Sequence, residues 1–123
     1  MAEKKILVAD DNPNLVKIMK YNLEKAGYGV LEARNGQEAL DMAKAQKPDI
    51  ILLDLMLPKM NGFEVCRMLK FDERYKKIPI IMVTARTSES DMNTGKEVGA
   101  DEYMVKPIDF KVLTENIDKL VNR

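Results

Sequence analysis

Two segments typical of buried β-strands end in carboxylates. Asp10 and Asp11 follow KILVA at 5–9, and Asp54 ends DIILLD at 49–54. Carboxylates that crowd together repel one another and lose solvation, so such a cluster needs a neutralising cation. Oxygen ligands without a nearby histidine or cysteine favour Mg²⁺, which commonly combines one or two carboxylates with phosphate oxygens. The sequence therefore predicts a magnesium site if the fold brings the two strand ends together.

A hydroxyl and an amine occupy equivalent positions on two further segments. Thr84 ends IPIIMVT at 78–84, and Lys106 follows EYMV at 102–105. Phosphoryl transfer needs an in-line nucleophile and positive charge around the equatorial oxygens. A carboxylate can be that nucleophile, as in aspartyl-phosphate chemistry. We therefore predict that Asp54 accepts a phosphoryl group whose oxygens are held by Thr84, Lys106 and the metal ion.

These side chains must be positioned by alternating elements. The chain has five short apolar runs, including YGVLEA at 28–33, separated by amphipathic segments long enough for crossover helices. Continuous apolar runs suit strands that are covered on both faces. The pattern predicts an α/β class fold, a doubly wound (βα)5 flavodoxin-like three-layer sandwich with a parallel sheet in the order 2-1-3-4-5, as one domain over residues 1–123. Ligands of such sheets bind outside the carboxyl ends of the strands, where these side chains converge.

Helix boundaries follow from local signals. The first helix is expected from Pro13 to near Gly27, with a sheet-facing stripe of Leu15, Met19, Leu23 and Ala26. The second helix is expected to follow Asn35-Gly36, and the third to start just after Asn61-Gly62. The chain must reverse at Asn61-Gly62, where glycine tolerates a positive φ. Asp109 is the expected N-cap of the fifth helix.

Composition excludes several classes of protein. Lys plus Arg and Asp plus Glu number 20 each, so the balance does not favour broad binding to nucleic acid or to an anionic membrane. The apolar runs are too short to span a bilayer, and the first residues lack a signal-peptide core, so we expect a cytoplasmic protein. The chain has no histidine, and Cys66 is its single cysteine, expected in the core.

The motifs VADDNP, LLDLMLPKMNG, MVTAR and GADEYMVKP resemble those of two-component response-regulator receiver domains, and the resemblance runs from Lys5 to about Val121. It implies that Asp54 is the phosphoacceptor and that Asp11 and Asp54 bind Mg²⁺ directly, with Asp10 acting through water. Met56 would supply a backbone carbonyl to the metal. The resemblance also implies a cis Lys106-Pro107 peptide that aims the lysine inward.

The resemblance implies a switch and two kinds of partner. Thr84 and Tyr103 match the switch positions, and the downstream protein would dock on helix four, strand five and helix five. Helix four is rich in poor helix formers, which favours a low-stability element. Asn14, Ile18 and Tyr21 on the first helix are the candidates for docking a sensor histidine kinase or a histidine phosphotransfer protein. We expect a monomer, with a dimer as the alternative after phosphorylation.

Other functions remain open at this point. A haloacid-dehalogenase-like phosphatase needs a second aspartate where this chain has Met56, and a flavodoxin-like cofactor binder needs a phosphate loop that does not follow strand one. A pseudo-receiver that only binds proteins is the main alternative. A stand-alone regulator, of the chemotaxis-messenger or phosphorelay-intermediate type, is favoured over a domain excised from a longer chain.

Overall fold

Parallel strands form one sheet in the computed structural model, which describes residues 3–123. The strands are β1 (Lys5–Ala9), β2 (Gly29–Ala33), β3 (Ile50–Leu53), β4 (Ile80–Thr84) and β5 (Glu102–Val105). Their order is β2-β1-β3-β4-β5 and every neighbouring pair is parallel, which confirms the predicted topology. All the carboxyl ends therefore lie at one edge of the sheet.

Helices cover both faces of this sheet. They are α1 (Pro13–Lys25), α2 (Gly36–Gln46), α3 (Gly62–Lys70), α4 (Glu89–Glu97) and α5 (Phe110–Val121). Because side chains alternate along a strand, Ile6 and Val8 of β1 pack with α1 and α5, whereas Leu7 and Ala9 pack with α2 and α3. Two hydrophobic layers result, one on each face of the sheet, and their packing fixes the position at which each strand ends.

Short polar caps begin the helices that follow the strands. The side chains of Asn12, Asn35, Asn61, Ser88 and Asp109 each accept a backbone N–H from the first turn of the helix that follows. At α3 the cap is reciprocal, because Glu64 also accepts the N–H of Asn61. The predicted N-cap at Asp109 is therefore confirmed. Together the caps set the loops that surround the site.

The predicted core stripe of α1 was partly wrong. Its buried residues are Val16, Met19 and Leu23, whereas Ala26 is exposed. Ala26 is the cap after the last turn, and Gly27 follows with a φ of 98°, so the chain has already left the helix. Cys66 is fully buried in the layer under α3, as expected.

Three strand starts also differ from the prediction, and one of them is β3, which begins at Ile50 instead of residue 49. β4 begins at Ile80 instead of residue 78, since Pro79 has no N–H for the ladder and contributes its carbonyl to Ile51. β2 begins at Gly29, although Tyr28 before it is buried and its hydroxyl donates to Asp118 of α5. Among residues 3–123, no helix is both long and apolar enough to cross a membrane.

Candidate phosphoacceptor and metal site

Three carboxylates meet at the carboxyl end of β1 and β3. Ala9 pairs with Leu53, so the residues after them, Asp10 and Asp54, lie side by side, and the Asp54 N–H donates to the Ala9 carbonyl at 3.0 Å. One carboxylate oxygen from each of Asp10, Asp11 and Asp54 lies within 4.8 Å of the others. Asp10 and Asp54 are buried and Asp11 is exposed. This oxygen-only set, open to solvent through Asp11, fits a hard divalent cation.

Lys106 is the counter-charge within the cluster. Its ammonium donates to Asp10 Oδ2 at 2.8 Å and to Asp54 Oδ2 at 3.0 Å. Burial alone would lower the pKa of Lys106, but these hydrogen bonds and the two nearby negative charges outweigh burial and raise the pKa. The Lys106-Pro107 peptide is cis, as the resemblance implied. Lys106 thus stays charged and bridges the two buried carboxylates.

Thr84 at the end of β4 and Met56 in the loop after β3 are the next site residues. Thr84 is the last residue of β4 and fully buried, and its hydroxyl accepts the N–H of Arg86 at 3.4 Å. The Met56 N–H donates to Asp54 Oδ1 at 3.1 Å, while its side chain is 56% exposed. Asp54 is therefore held through both oxygens, one by Met56 and one by Lys106.

Asp10 also has a structural role in the turn that leads into α1. Its Oδ1 accepts the N–H of Asn12 at 2.9 Å, while its Oδ2 accepts from Lys106. Asn12 in turn accepts the N–H groups of Asn14 and Leu15 at the start of the helix. Asp10 is thus also a turn former, because its one carboxylate serves both the turn and the cluster.

Gly62 supports the acceptor loop for a reason that the sequence did not indicate. Its φ is not positive, contrary to the expectation for the Asn61-Gly62 turn. A Cβ at Gly62 would instead lie 2.5 Å from the Asp54 carbonyl oxygen and 2.9 Å from the Leu55 Cα. Glycine is therefore required by the close approach of α3 to the loop after β3.

Arg86 joins the site to α4 and β5. Its guanidinium lies 3.1 Å from Asp91 Oδ2 in α4 and 3.4 Å from the Met56 sulfur. Its carbonyl accepts the hydroxyl of Tyr103 at 2.9 Å. The Tyr103 ring packs on α4 at Gly95, where a Cβ would lie 3.1 Å from Cδ2 of the ring. The predicted switch residues Thr84 and Tyr103 thus contact the same residue, Arg86.

The predicted kinase-docking residues lie outside the carboxylate cluster. Asn14, Ile18 and Tyr21 occupy exposed positions of α1, and the side chains of Ile18 and Tyr21 are 51% and 64% exposed. They are accessible on the helix that follows Asp10 and Asp11.

Sequence reasoning missed a second ionic network at the opposite end of β4. Lys70 donates to Asp101 Oδ2 at 2.8 Å and to the carbonyls of Lys76 and Ile78. Asp101 also accepts the N–H of Ile80 at 2.8 Å and the guanidinium of Arg123 at 3.2 Å. This network fixes the turn between α4 and β5 to the start of β4.

The chain belongs to the response regulator receiver domain family, whose model matches residues 6–118. It is thus a receiver domain of the kind found in two-component signalling. Receiver domains are signalling modules, in contrast to enzymes that act on a separate substrate.

The alkaline phosphatase synthesis transcriptional regulatory protein PhoP of Bacillus subtilis is 44% identical over 120 residues, which cover 98% of this chain and 49% of PhoP. The chain spans about half the length of the curated relatives it matches.

Solved structures share the fold closely. The chemotaxis protein CheY4 of Vibrio cholerae has a TM-score of 0.89 with 34% identity, covering 97% of this chain and 99% of that one. The receiver domain of a sensor histidine kinase from Pseudomonas aeruginosa PAO1 has a TM-score of 0.91 with 28% identity, covering 99% of this chain and 100% of that one. That structure has a magnesium ion coordinated in its active-site cleft.

Proposed function

We propose that Asp54 accepts a phosphoryl group from a sensor histidine kinase or a histidine phosphotransfer protein in a Mg²⁺-dependent reaction. The observation that carries this proposal is the cluster of Asp10, Asp11 and Asp54 with Lys106 bonded into it. The magnesium ion in the cleft of the Pseudomonas aeruginosa receiver domain supports the same metal here. Asp10, Asp11, Asp54 and the Met56 carbonyl are the proposed ligands, and Mg²⁺ would neutralise charge on the transferring phosphoryl group.

The protein's own residues have distinct tasks in the transfer. The bond between phosphorus and the donor histidine nitrogen breaks as an Asp54 carboxylate oxygen bonds to phosphorus. Lys106, already 3.0 Å from Asp54, stabilises negative charge on one phosphoryl oxygen, and the Thr84 hydroxyl donates to another. The Met56 N–H keeps the acceptor carboxylate oriented. Hydrolysis or onward transfer would then return Asp54 to its free state.

The signal would leave the site through α4, β5 and α5. Phosphorylation adds roughly −1.5 to −2 charges at one point. Thr84 and Tyr103, which both bond to the Arg86 backbone, are the proposed switch residues. A downstream protein would recognise the rearranged face, while Asn14, Ile18 and Tyr21 would select the kinase.

Intact-mass spectrometry tests the acceptor assignment. Protein incubated with Mg²⁺ and acetyl phosphate should gain one phosphoryl group, and the gain should disappear when Mg²⁺ is chelated. Asp54→Asn should remove the adduct because an amide is not a competent nucleophile. Asp41→Asn, on the exposed face of α2, is the matched control and should leave the adduct unchanged.

Two results would contradict the proposal. Phosphorylation of Asp54→Asn at the wild-type level would place the acceptor elsewhere. Neither an adduct nor Mg²⁺-dependent beryllofluoride binding by the wild type would indicate the pseudo-receiver, which binds proteins without phosphorylation.

A further inference from the structure

A cavity of about 470 Å³ opens beside the carboxylate cluster, between α1 and the end of β2. Asp10 and Asp11 form the wall that it shares with the proposed metal site. The remaining charged groups of the wall are Lys17, Lys20, Glu32 and Arg34. Its volume falls in the range of small-molecule sites.

Three cationic side chains, from Lys17, Lys20 and Arg34, line this cavity. Lys17 and Lys20 lie three residues apart on α1, so they project on one side of the helix. Arg34 follows Ala33, whose register partner Ala9 precedes Asp10. Adjacent strands lie about 4.8 Å apart, so Arg34 leaves the sheet at the same edge as the carboxylates.

The charged side chains of the cavity wall are equal in number, three negative and three positive, but they are not all paired with one another. Asp10 is paired with Lys106, and Lys20 lies 3.7 Å from Glu32. Within residues 3–123, neither Lys17 nor Arg34 has a carboxylate oxygen within 4.0 Å. With Asp11 assigned to the metal, two positive charges remain unmatched on the wall of the cavity.

A phosphodonor approaching Asp54 is itself an anion and is repelled by the carboxylates. Unmatched cations beside such a cluster raise the local concentration of anions. We propose that Lys17 and Arg34 bind a second anionic group of a small phosphodonor, so that the site prefers acyl phosphates that carry a distal carboxylate or phosphate. This inference rests on the proposed function, because it names the donor class for the same acceptor.

The transfer from such a donor balances without a further reactant. A carboxylate oxygen of Asp54 bonds to phosphorus while the bond between phosphorus and the acyl oxygen breaks. The electron pair leaves with that oxygen, so the donor departs as a carboxylate. Lys17 and Arg34 hold the distal group and take no part in bond making.

A matched pair of donors tests the preference. Benzoyl phosphate and 4-carboxybenzoyl phosphate differ in one distal carboxylate, and each rate is normalised to the donor's spontaneous hydrolysis. The wild type should react with 4-carboxybenzoyl phosphate with a roughly threefold to tenfold higher second-order rate constant, measured from the initial rate of formation of the Asp54 adduct. Added salt should reduce this ratio because exposed charges are screened.

Substitutions assign the preference to the cavity. Lys17→Gln combined with Arg34→Gln should bring the ratio of the two donors to about one, while beryllofluoride binding is retained as proof of an intact site. Lys119→Gln removes an equal charge from the last turn of α5 and should keep the wild-type ratio.

The outcomes separate this inference from the proposed function. Equal use of both donors by the wild type, or a preference that survives the double substitution, would overturn the inference and leave Asp54 as the acceptor. Failure of both donors while acetyl phosphate still phosphorylates the wild type would also overturn the inference. Failure of all three donors, with no beryllofluoride binding, would instead contradict the proposed function.

Discussion

The strands that carry the proposed chemistry and the elements proposed to respond differ in packing. Every residue of β3 and β4 is buried, and Asp54 and Thr84 follow or end these strands. Both ends of β5 are exposed, and within α4, all of which the structure describes, only Gly95 is buried. The acceptor candidate therefore lies on the best-packed part of the sheet, and the proposed response surface of α4 and β5 lies on the least packed part.

The difference follows from position and composition. β3 and β4 have neighbours on both sides, whereas β5 is an edge strand. Ser90, Asn93, Thr94 and Gly95 give α4 low intrinsic helix stability. Regions with few buried apolar side chains open locally at low free energy. We therefore expect a perturbation at Asp54 to move α4 and β5 without unfolding the centre of the sheet.

A core truncation gives the largest expected contrast between these regions. Leu53→Ala removes a fully buried side chain of β3 and should lower the free energy of unfolding by about 2–5 kcal/mol. Met92→Ala in α4, where the side chain is 38% exposed, should change it by less than about 1 kcal/mol. Urea denaturation of both variants measures the two changes in unfolding free energy. Equal losses would contradict the better packing of β3 relative to α4.

An anchor of the loosely packed region gives the next effect. Asp101→Asn weakens bonds from Lys70, Ile80 and Arg123 that hold the turn before β5. We expect a loss of about 1–3 kcal/mol in unfolding free energy. Amide exchange should rise more in α4 and β5 than in β3, and a uniform rise would argue against a separate region.

The same substitution should change the pH dependence of stability. Burial alone would raise the pKa of Asp101, but its hydrogen bonds to Lys70 and Ile80 outweigh burial and lower the pKa. Because the pKa of Asp101 is lower in the folded state, its carboxylate stabilises the fold at pH values above the unfolded-state pKa of about 3.9. This stabilisation is lost as the pH falls through the folded-state pKa. The stability difference between wild type and Asp101→Asn should therefore be constant above about pH 5 and shrink as the pH falls below about 4. A difference that stays constant with pH would contradict this assignment.

The smallest expected effect concerns the contact between Tyr103 and Arg86. Tyr103→Phe removes a hydrogen bond of 2.9 Å to the Arg86 carbonyl at a partly exposed site. The unfolding free energy should fall by less than about 1 kcal/mol, while amides of residues 86–92 exchange faster. Tyr21→Phe on α1, where the side chain is 64% exposed, is the control and should change neither quantity. Unchanged exchange in Tyr103→Phe would remove Tyr103 from the proposed switch.

Periodic features of the chain could be predicted from sequence, and tertiary contacts could not. Continuous apolar runs predicted the strand order, and carboxylates at the strand ends predicted the cluster of Asp10, Asp11 and Asp54. The crowding at Gly62 was missed because it depends on how closely α3 approaches the loop after β3. The pair of Lys70 and Asp101 joins residues 31 positions apart, and nothing local marks either partner.

We predict that a phosphoryl group on Asp54 alters α4 and β5 while the centre of the sheet stays unchanged. Hydrogen–deuterium exchange, with and without Mg²⁺ and beryllofluoride as a stand-in for the phosphoryl group, measures this directly. We predict altered exchange across residues 86–105, unchanged exchange in β3, and no response in Asp54→Asn. Changes confined to the loop after β3, or an equal response in Asp54→Asn, would contradict the claim.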